Sequence, residues 1–338
     1  MGTNRYKLVA GRTLSRWLRA STDVPLVERV QLHWDSFWFE LNLAQAKALM
    51  PTHPLRASPV LILGMWRSGT SLLHEWLSAL PGCSAPRTWQ CMAPSTFVVT
   101  GQPQTSVRIP RPMDALEVSS FSPQEDEFSL LAMGAASAYR GFLCPERMEE
   151  GIEALNPDYW RQNPGWLADW LWFLSAVEQQ TGARLVLKAP NHTFRAPSIA
   201  QALPASQWIW VLRDPEAVWR SNWNMWQRMS EAYSGRLPDK ATLTALLSEA
   251  FCQYLAVLQW VDVARPVAMA FLPYDELALG PESALSSIKR QGVELPAWTG
   301  GSAIRFAEET LPTEGARSPD SLAKVFEAIR EMHQKLLR

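Results

Sequence analysis

A loop bracketed by two glycines is the part of this sequence best suited to bind an anion. Gly64 and Gly69 are separated by four residues that include Arg67. Glycines let the backbone curve so that successive N–H groups point at one anion, and the first turn of a following helix adds its positive end. The hydroxyl groups that could complete such a site belong to Ser68, Thr70 and Ser71. The pattern therefore predicts a phosphate-binding loop.

The loop departs from the pattern of nucleoside-triphosphate loops. Those loops read G-x-x-x-x-G-K-[ST], and the Lys contacts the β- and γ-phosphates. Here Thr70 occupies the Lys position, and the nearest cation, Arg67, lies three residues earlier. A nucleotide-dependent kinase is therefore an alternative rather than the first interpretation, and an ordinary strand-to-helix turn is another.

Two further cations follow short apolar runs elsewhere in the chain. Lys188 ends one such run, and Arg213 follows the next. In a parallel sheet, ligands bind beyond the carboxyl ends of the strands. We therefore expect Arg67, Lys188 and Arg213 to converge at one edge of a sheet, an arrangement that suits a small polyanion. Arg213 could instead form a local ion pair with its neighbour Asp214.

The elements that must position these residues are visible in the pattern of apolar side chains. Continuous apolar runs are typical of strands buried on both faces, and they occur at 59–63, 184–188, 207–212 and 267–272. Helical spacing predicts helices at 71–77, 159–179, 196–203, 215–229 and 241–263. Strands that alternate with helices predict an α/β fold with a central, mostly parallel sheet flanked by helices.

The organisation of the chain predicts one domain over residues 1–338. Residues 1–50 have helical spacing and are predicted to form a helical N-terminal extension, which Pro51 and Pro54 end. Residues 84–150 are rich in Pro and show no clean strand pattern, so we predict an irregular insertion there. Long insertions in a compact fold often carry function.

Composition excludes two broad classes of protein. The 338 residues include 32 Lys and Arg against 33 Asp and Glu, and 47% are hydrophobic. This balance argues against an intrinsically disordered chain, and also against a protein that coats nucleic acid, which needs an excess of cations. The 17 Trp residues predict an aromatic core, with a ring-lined pocket as the alternative.

Cysteine spacing and the N-terminal residues bear on cellular location. The four Cys show no metal-ligand spacing, so we predict a reduced, cytoplasmic protein without a zinc site. No uninterrupted apolar run approaches the ~18 residues of a membrane span, and we expect no secretory leader. The first twenty residues resemble a short basic amphipathic helix, which could make peripheral contact with a membrane or pack on the domain. Its cations are Arg5, Lys7, Arg12, Arg16 and Arg19, and its apolar residues are Leu8, Leu14, Trp17 and Leu18.

Two segments together resemble the sulfotransferases that use 3′-phosphoadenosine 5′-phosphosulfate (PAPS). The segment LILGMWRSGTSLLHEWL is similar to the 5′-phosphosulfate loop of that family, G-x-P-R-S-G-T-T-L-L, with Trp66 in place of Pro and Ser71 in place of the second Thr. The segment that begins at Arg213 resembles the 3′-phosphate motif R-D-P-x-x-x-x-x-S, in which Ser221 has the family's separation from the Arg.

Three weaker matches point to the bacterial-type branch of that family. Lys188-Ala-Pro-Asn-His192 resembles K-[ST]-P-x-H, Pro123-Gln-Glu-Asp-Glu127 resembles P-x-E-D-E, and the stretch at 272–277 resembles Y-E-D-L. The chain departs from the branch at Gln90, where a Glu often follows Trp, and we find no match after about residue 295. The resemblance covers residues 59–277 and implies a sulfotransferase fold like that of P-loop nucleoside triphosphatases.

The resemblance implies an enzyme that moves a sulfuryl group from PAPS to a hydroxyl or amine of a small or lipid-like acceptor, without a metal. Arg67 and Lys188 would stabilise charge on the leaving phosphate. The remaining donor ligands would be the loop residues Gly64, Ser68, Gly69, Thr70 and Ser71, with Arg213 and Ser221 at the 3′-phosphate. Acceptor choice would depend partly on residues 84–150. A kinase and a non-catalytic nucleotide-binding module remain alternatives, and the oligomeric state cannot be read.

An acceptor hydroxyl also needs a general base, and the sequence leaves its identity open. His192 lies just beyond a predicted strand and has a suitable ordinary pKa. Glu125, with its neighbours Asp126 and Glu127, lies in the 84–150 insertion, and we expect such a cluster to raise the pKa of one of its carboxylates. His74, on the helix after the loop, is a weaker third candidate that we expect to pack instead.

Overall fold

The computed structural model describes residues 11–19, 25–106, 108–113, 117–298, 300 and 317–338. Arg5, Lys7 and Leu8, which belong to the predicted basic helix, lie outside the described residues. The strands are β1 (Val60–Leu63), β2 (Cys83–Ser84), β3 (Ile109–Pro110), β4 (Glu117–Val118), β5 (Arg184–Lys188), β6 (Gln207–Leu212) and β7 (Ala268–Pro273).

Helices make up most of the remaining described chain. In the first half they are α1 (Arg12–Arg19), α2 (Leu26–Leu49), α3 (Thr70–Ser78), α4 (Thr88–Met92), α5 (Phe97–Thr100), α6 (Glu127–Met133), α7 (Arg140–Leu143) and α8 (Pro157–Gln162). In the second half they are α9 (Trp166–Thr181), α10 (His192–Ala202), α11 (Pro215–Ser234), α12 (Lys240–Ala264), α13 (Tyr274–Ala278), α14 (Pro281–Arg290) and α15 (Ala323–Leu336). Two 3₁₀ segments span Pro145–Leu155 and Asp320–Leu322.

The central sheet has five strands in the order β2-β5-β1-β6-β7, and each neighbouring pair is parallel. This confirms the predicted α/β fold with a parallel sheet. β1 lies in the middle, and the chain later places β5 on one side of it and β6 on the other. The loop after β1 therefore lies where the strand order reverses direction, which is where open α/β sheets bind ligands.

The strands are buried on both faces because helices cover both sides of the sheet. Leu61, Leu187 and Trp210 face the larger hydrophobic cluster, whereas Ile62 and Val211 face the smaller one. This alternation follows from the two-residue period of a strand. Eight tryptophan side chains are 2% exposed or less, and all of them belong to the larger cluster: Trp66, Trp160, Trp170, Trp172, Trp208, Trp210, Trp219 and Trp226. The aromatic-core interpretation is thus confirmed for these residues.

Two predicted elements differ from the structure. The helix expected at 159–179 is two helices, α8 and α9, because Pro164 interrupts the backbone hydrogen bonds. The segment 84–150 is not irregular: it contains α4, α5, α6, α7, the two-stranded ribbon β3–β4 and part of a 3₁₀ segment. Its short helices could not be predicted, because elements of four to seven residues are too short to show a periodic pattern. Its role in acceptor binding stays a prediction, as does the single domain.

The N-terminal helices pack on the domain. Leu14 and Leu18 of α1 are buried in the larger cluster, so they are not available to enter a membrane. This favours the packing alternative for the described part of that basic helix. One described helix, α12, is long and apolar enough to cross a membrane by length and composition alone. Its buried face, which includes Leu247 and Phe251, belongs to the protein core.

Candidate active site

The loop between β1 and α3 is held in a conformation that depends on its glycines. Gly64 has a φ of +140° and Gly69 a φ of +99°. A Cβ at Gly64 would lie 2.8 Å from the carbonyl oxygen of Val211, so a side chain there is sterically excluded. Arg67 also has a positive φ, +67°, a conformation that costs a non-glycine residue free energy. Such strain is common where a loop is shaped for a ligand.

Side chains of α10 and α11, and one side chain of the loop itself, hold the loop backbone through hydrogen bonds. The Thr193 hydroxyl donates to the carbonyl oxygen of Gly64 over 2.9 Å and accepts from its N–H over 3.0 Å. Asn222 Nδ2 donates to the carbonyl oxygen of Trp66 over 2.8 Å. The Ser68 hydroxyl donates to the carbonyl oxygen of Met65 over 2.7 Å, so its proton shapes the loop instead of facing outward. The N–H groups of Leu72 and Leu73 donate to the carbonyl oxygen of Gly69, whereas those of Thr70 and Ser71 begin the helix and have no carbonyl partner within it.

The two predicted nucleotide motifs meet at Arg67. Its Nε donates to the Ser221 hydroxyl over 3.0 Å, and Nη1 of Arg213 donates to the Arg67 carbonyl oxygen over 2.8 Å. The guanidinium of Arg213 lies 4.0 Å from the centre of the Tyr274 ring. The local ion pair considered for Arg213 does not form, since Asp214 caps α11 and binds Nε of Arg330 over 2.8 Å.

The ammonium group of Lys188 contacts the first turn of α3, directly after the same loop. Its Nζ donates to the Ser71 hydroxyl over 3.1 Å and to Oε1 of Glu125 over 2.5 Å. The side chain is 5% exposed, and burial lowers the pKa of Lys188 while the neighbouring Glu125 raises it in part. The structure thus brings Arg67, Lys188 and Arg213 to the loop at the carboxyl edge of the sheet, as the sequence predicts.

Each of the three consecutive carboxylates has a buried partner. Glu125 binds Lys188, Asp126 Oδ2 lies 2.8 Å from Nε2 of His192, and Glu127 accepts two N–H groups from Arg195. We call these three pairs, Glu125–Lys188, Asp126–His192 and Glu127–Arg195, the acidic ladder, and its acidic side chains are at most 11% exposed. Buried charges need such partners, because an unpaired charge in the interior is strongly unfavourable. The ladder attaches the segment 84–150 to β5 and α10.

Glu125 occupies the outermost rung of the ladder. Its second oxygen, Oε2, accepts a hydrogen bond from the Tyr139 hydroxyl over 2.7 Å. Burial and the nearby Glu125 carboxylate hold the pKa of Tyr139 well above its ordinary value, so Tyr139 stays a hydrogen-bond donor. A carboxylate has about four acceptor positions, and these two bonds leave room for a proton from a bound hydroxyl.

His192 is enclosed by partners on both ring nitrogens. Nε2 faces Asp126, while Nδ1 lies 3.4 Å from Nη1 of Arg195. Because a guanidinium can only donate, Nδ1 accepts and Nε2 carries the proton that faces Asp126. The raised pKa expected from the carboxylate cluster does not occur at Asp126: burial acts to raise its pKa, but His192 and the indole N–H of Trp170 hold it below its ordinary value. The ring therefore has no acceptor left for an incoming proton.

His74 has the packing role expected of it. Its Nε2 lies 3.1 Å from the carbonyl oxygen of Val186 in β5, and the side chain is buried. Burial, helped by the charge of Lys188, lowers the pKa of His74 to about 3. Among the residues that the structure describes, no group of three or more His, Cys, Asp or Glu is placed to hold a metal ion. The absence of a metal requirement stays a prediction.

Several residues of the site were not predicted from the sequence. The clearest of these is Arg195, which follows His192 by three residues and pairs with Glu127, as Lys188 pairs with Glu125 and His192 with Asp126. Tyr139 and Asn222 act through hydrogen bonds to Glu125 and to the loop, and only the folded chain reveals them. Gln90, which replaces an acidic residue of the family branch, is buried and binds Gln180 instead.

Comparison with known proteins agrees with the geometry. A model of the sulfotransferase family matches residues 59–297, well over half of the chain. Two curated relatives, the omega-hydroxy-beta-dihydromenaquinone-9 sulfotransferases Stf3 of Mycobacterium bovis and Mycobacterium tuberculosis, are each 29% identical over 239 residues. That region is 67% of this chain and 60% of each relative, so the chain matches less than two thirds of their length.

Two solved structures share the fold. Sulfotransferase STF1 of Mycobacterium tuberculosis H37Rv gives a TM-score of 0.57 at 17% identity, over 78% of this chain and 77% of that one. Sulfotransferase STF9 of Mycobacterium avium gives a TM-score of 0.58 at 16% identity, over 95% of this chain and 80% of that one. With the family match and the loop geometry, the conclusion is that this chain belongs to the sulfotransferase family.

Proposed function

We propose that this protein transfers a sulfuryl group from PAPS to a hydroxyl group of a lipid-like acceptor. The observation that carries the proposal is the arrangement around one loop. Arg213 binds the backbone of Arg67, Arg67 binds Ser221, and Lys188 binds Ser71. Cations from three strand ends thus surround the glycine-bounded turn at the start of α3.

The residues present fit the two phosphate groups of a doubly phosphorylated adenosine. A Cβ at Gly64 would collide with the carbonyl oxygen of Val211, so only glycine lets the loop backbone pack this closely on β6. The first turn of α3 follows the loop and would offer its N–H groups and positive end to an anion. These groups, with Thr70 and Ser71, would hold the 5′-phosphate. Arg213 and Ser221 would hold the 3′-phosphate, since an Arg and a hydroxyl can grip one phosphate together. The ring of Tyr274 supports Arg213 from one side.

The donor supplies an activated sulfuryl group, whose transfer breaks its sulfur–oxygen bond to the 5′-phosphate as the acceptor oxygen bonds to sulfur. Lys188 has three N–H donors, and two of them point at Ser71 and Glu125. The third would stabilise the negative charge that develops on the leaving phosphate oxygen, with Arg67 beside it. Preorganised donors in a dry site can contribute several kcal/mol to such a step.

Glu125 is the general base in this proposal. It lies one hydrogen bond from Lys188, so a proton accepted there leaves the acceptor oxygen next to the cation that stabilises the leaving group. Tyr139 orients the carboxylate through Oε2. His192, the other candidate, has both ring nitrogens occupied and is assigned a positioning role through Asp126.

The lipid-like acceptor rests on the curated relatives. Both are named for an omega-hydroxylated menaquinone derivative, which is a lipid-like molecule with a hydroxyl group. We extend that chemical class, not the individual substrate, to this chain. The segment 84–150 supplies Glu125 and Tyr139, so its surface is the proposed wall of the acceptor site. A cytoplasmic location is proposed as well, in keeping with four free cysteines in the chain.

A transfer assay tests the proposal. The purified chain would be mixed with PAPS labelled in its sulfate and with matched pairs of hydroxylated and hydroxyl-free isoprenoid quinones, short-chain alcohols and phenols. We expect label in the hydroxylated quinones and none in their hydroxyl-free partners. Label transferred only to phenols would refute the lipid-like acceptor. Phosphate transfer from ATP with magnesium, or donor binding without any transfer, would favour the kinase or the binding module instead.

A further inference from the structure

Four aromatic rings form a continuous row beside the carboxylate of Glu125. The ring centre of Tyr139, whose hydroxyl binds Glu125, lies 4.8 Å from that of Phe142 and 5.7 Å from that of Phe128. Tyr233 continues the row beyond Phe142, with 6.4 Å between the two ring centres. The planes of successive rings differ by 35°, 25° and 18°, so they are roughly parallel. We call Phe128, Tyr139, Phe142 and Tyr233 the aromatic row.

Exposure to solvent differs along the aromatic row. Tyr139 and Phe142 are buried, whereas Phe128 and Tyr233, at its two ends, are half-buried. The ends belong to different elements, since Phe128 lies in the first turn of α6 and Tyr233 in the last turn of α11. Trp226 of α11 is fully buried, and its ring centre lies 4.4 Å from that of Phe142. The row therefore has a middle packed on the core and two ends that solvent reaches.

Both ends of the aromatic row lie near Glu125. Phe128 follows Glu125 by three residues, and its N–H donates to the Glu125 carbonyl oxygen. Tyr233 is distant in the sequence, but burial and the charge of Glu125 raise the pKa of Tyr233, so its phenol is within electrostatic reach of that carboxylate. Glu125 is itself only 8% exposed. A ligand that brings a hydroxyl group to Glu125 would therefore lie against these rings.

The aromatic row suits an apolar chain better than a polar one. Its four members are uncharged, and the Tyr139 hydroxyl is already bonded to Glu125. Apolar surface that leaves water against such rings is stabilised in proportion to its area, whereas the hydroxyl groups of a sugar would lose hydration without gaining hydrogen bonds from ring carbons. The low exposure of Glu125 also favours a hydroxyl at the end of a slender chain, because a bulky ring system could not reach the carboxylate.

We propose that Phe128 and Tyr233 are specificity-determining residues that bind the apolar chain of an alcohol whose terminal hydroxyl reaches Glu125. This inference rests on the proposed function and adds the part of the acceptor that is recognised and the side chains that recognise it. Tyr139 and Phe142 support the two residues from the core side. The acceptor site then includes α11 as well as the segment 84–150. That helix would contact the donor through Ser221 near its start and the acceptor through Tyr233 near its end.

Calorimetric titration tests this subsite without turnover. The full-length protein would be titrated with geraniol, an alcohol on a short isoprenoid chain, and with glucose, each with and without adenosine 3′,5′-bisphosphate. We expect geraniol to bind and glucose not to bind. Phe128→Ala and Tyr233→Ala should each raise the Kd for geraniol by about 10-fold or more, since each removes the burial of one ring against the chain. The matched control is Tyr159→Ala, at a half-buried tyrosine on α8, which should keep the wild-type Kd.

A conservative variant and the transfer assay separate recognition from core packing. Tyr233→Phe keeps the ring and should keep the wild-type Kd for geraniol. With labelled PAPS, both alanine variants should raise the KM for geraniol and leave kcat nearly unchanged, the pattern of lost uniform binding.

The outcomes distinguish this inference from the proposed function. Alanine variants that unfold more easily in urea but keep the wild-type Kd and KM would show that the two rings only pack the core, and would overturn the proposal. Glucose that binds as tightly as geraniol would also overturn it. Weakened geraniol binding in both variants, without any sulfuryl transfer in the wild type, would support the apolar subsite and refute the proposed reaction.

Discussion

Nζ of Lys188 lies 2.5 Å from Oε1 of Glu125, and both side chains are nearly buried. The pair joins the end of β5 to the segment that precedes α6, across 63 residues of sequence. It also places a carboxylate and an ammonium group beside the loop that starts α3, through the contact of Lys188 with Ser71. The proposed general base and the proposed stabilising cation thus share one edge of the candidate active site.

Replacing Glu125 tests the proposed general base separately from donor binding. We expect Glu125→Gln to lower kcat by about 100-fold or more, because a general base contributes about 10²–10⁴-fold. Affinity for adenosine 3′,5′-bisphosphate should change little, since Glu125 is not assigned to the donor. Rate measurements at saturating donor, with titration of the bisphosphate, check both expectations.

His192→Gln is the comparison variant for that experiment. Because His192 is buried against Asp126, we expect its loss to lower the free energy of unfolding more than kcat. If the folded His192→Gln protein loses turnover while Glu125→Gln keeps it, the assignment of the base is wrong.

The innermost rung of the acidic ladder should matter for stability. Glu127→Gln leaves the fully buried guanidinium of Arg195 without its counter-charge and should cost about 3–5 kcal/mol in the free energy of unfolding. The double variant Glu127→Gln/Arg195→Met should cost less than the sum of the two single changes. Urea unfolding measures all three variants. Removal of the exposed pair formed by Arg317 and Asp320 should change stability by about 1 kcal/mol or less, as a control.

Gly69 should resist substitution for two reasons. Its positive φ costs an alanine about 1–2 kcal/mol, and the added Cβ would lie 2.7 Å from Cδ2 of Leu277. Gly182 is the matched control, because it also has a positive φ but open space around it. Gly69→Ala should therefore destabilise the protein more than Gly182→Ala and should also weaken bisphosphate binding. Equal effects of the two changes on stability and binding would show that the loop tolerates a side chain there.

The buried His74 makes stability depend on pH. Its folded pKa of about 3 lies below the ordinary value of 6.5, so the unfolded chain binds a proton first as the pH falls. The contribution is fully present above pH 6.5 and is lost progressively toward pH 3. Between pH 7 and pH 4 this amounts to about 3 kcal/mol.

A histidine-to-glutamine comparison measures that contribution. The free energy of unfolding of His74→Gln should fall less steeply with acid than that of the wild type. His53→Gln, at a half-exposed histidine, controls for the loss of an imidazole. Parallel curves for His74→Gln and the wild type would show that His74 is not the group responsible.

The strands and the convergence of the cations could be predicted because both depend on local pattern and on sheet topology. The apolar runs before Gly64, Lys188 and Arg213 place these residues at strand ends, and parallel pairing brings the ends together. Pro164 also indicated a break between two helices, because proline cannot continue a helix. The helical periodicity on either side of it gave the wrong prediction of one helix.

The sequence does not decide between the two candidate general bases. Glu125 and His192 differ in what surrounds them, and those surroundings come from side chains far apart in the chain. Arg195 closes off one nitrogen of His192, whereas the hydroxyl of Tyr139 leaves acceptor capacity on Glu125. The ion-pair partner of Asp214, Arg330, likewise lies more than a hundred residues away in the chain. Such contacts follow from tertiary packing, which residue spacing alone does not determine.

Binding of adenosine 3′,5′-bisphosphate tests the central claim most directly. Isothermal titration would be done in the presence of EDTA, with Arg213→Ala and with Arg220→Ala, an exposed arginine on the same α11 helix, as the matched control. We expect metal-independent binding that Arg213→Ala weakens by about 10- to 100-fold, as for a charge-assisted contact of about 1.5–3 kcal/mol, and that Arg220→Ala leaves unchanged. Binding that requires magnesium and ATP, or that is equally strong in Arg213→Ala, would contradict the account.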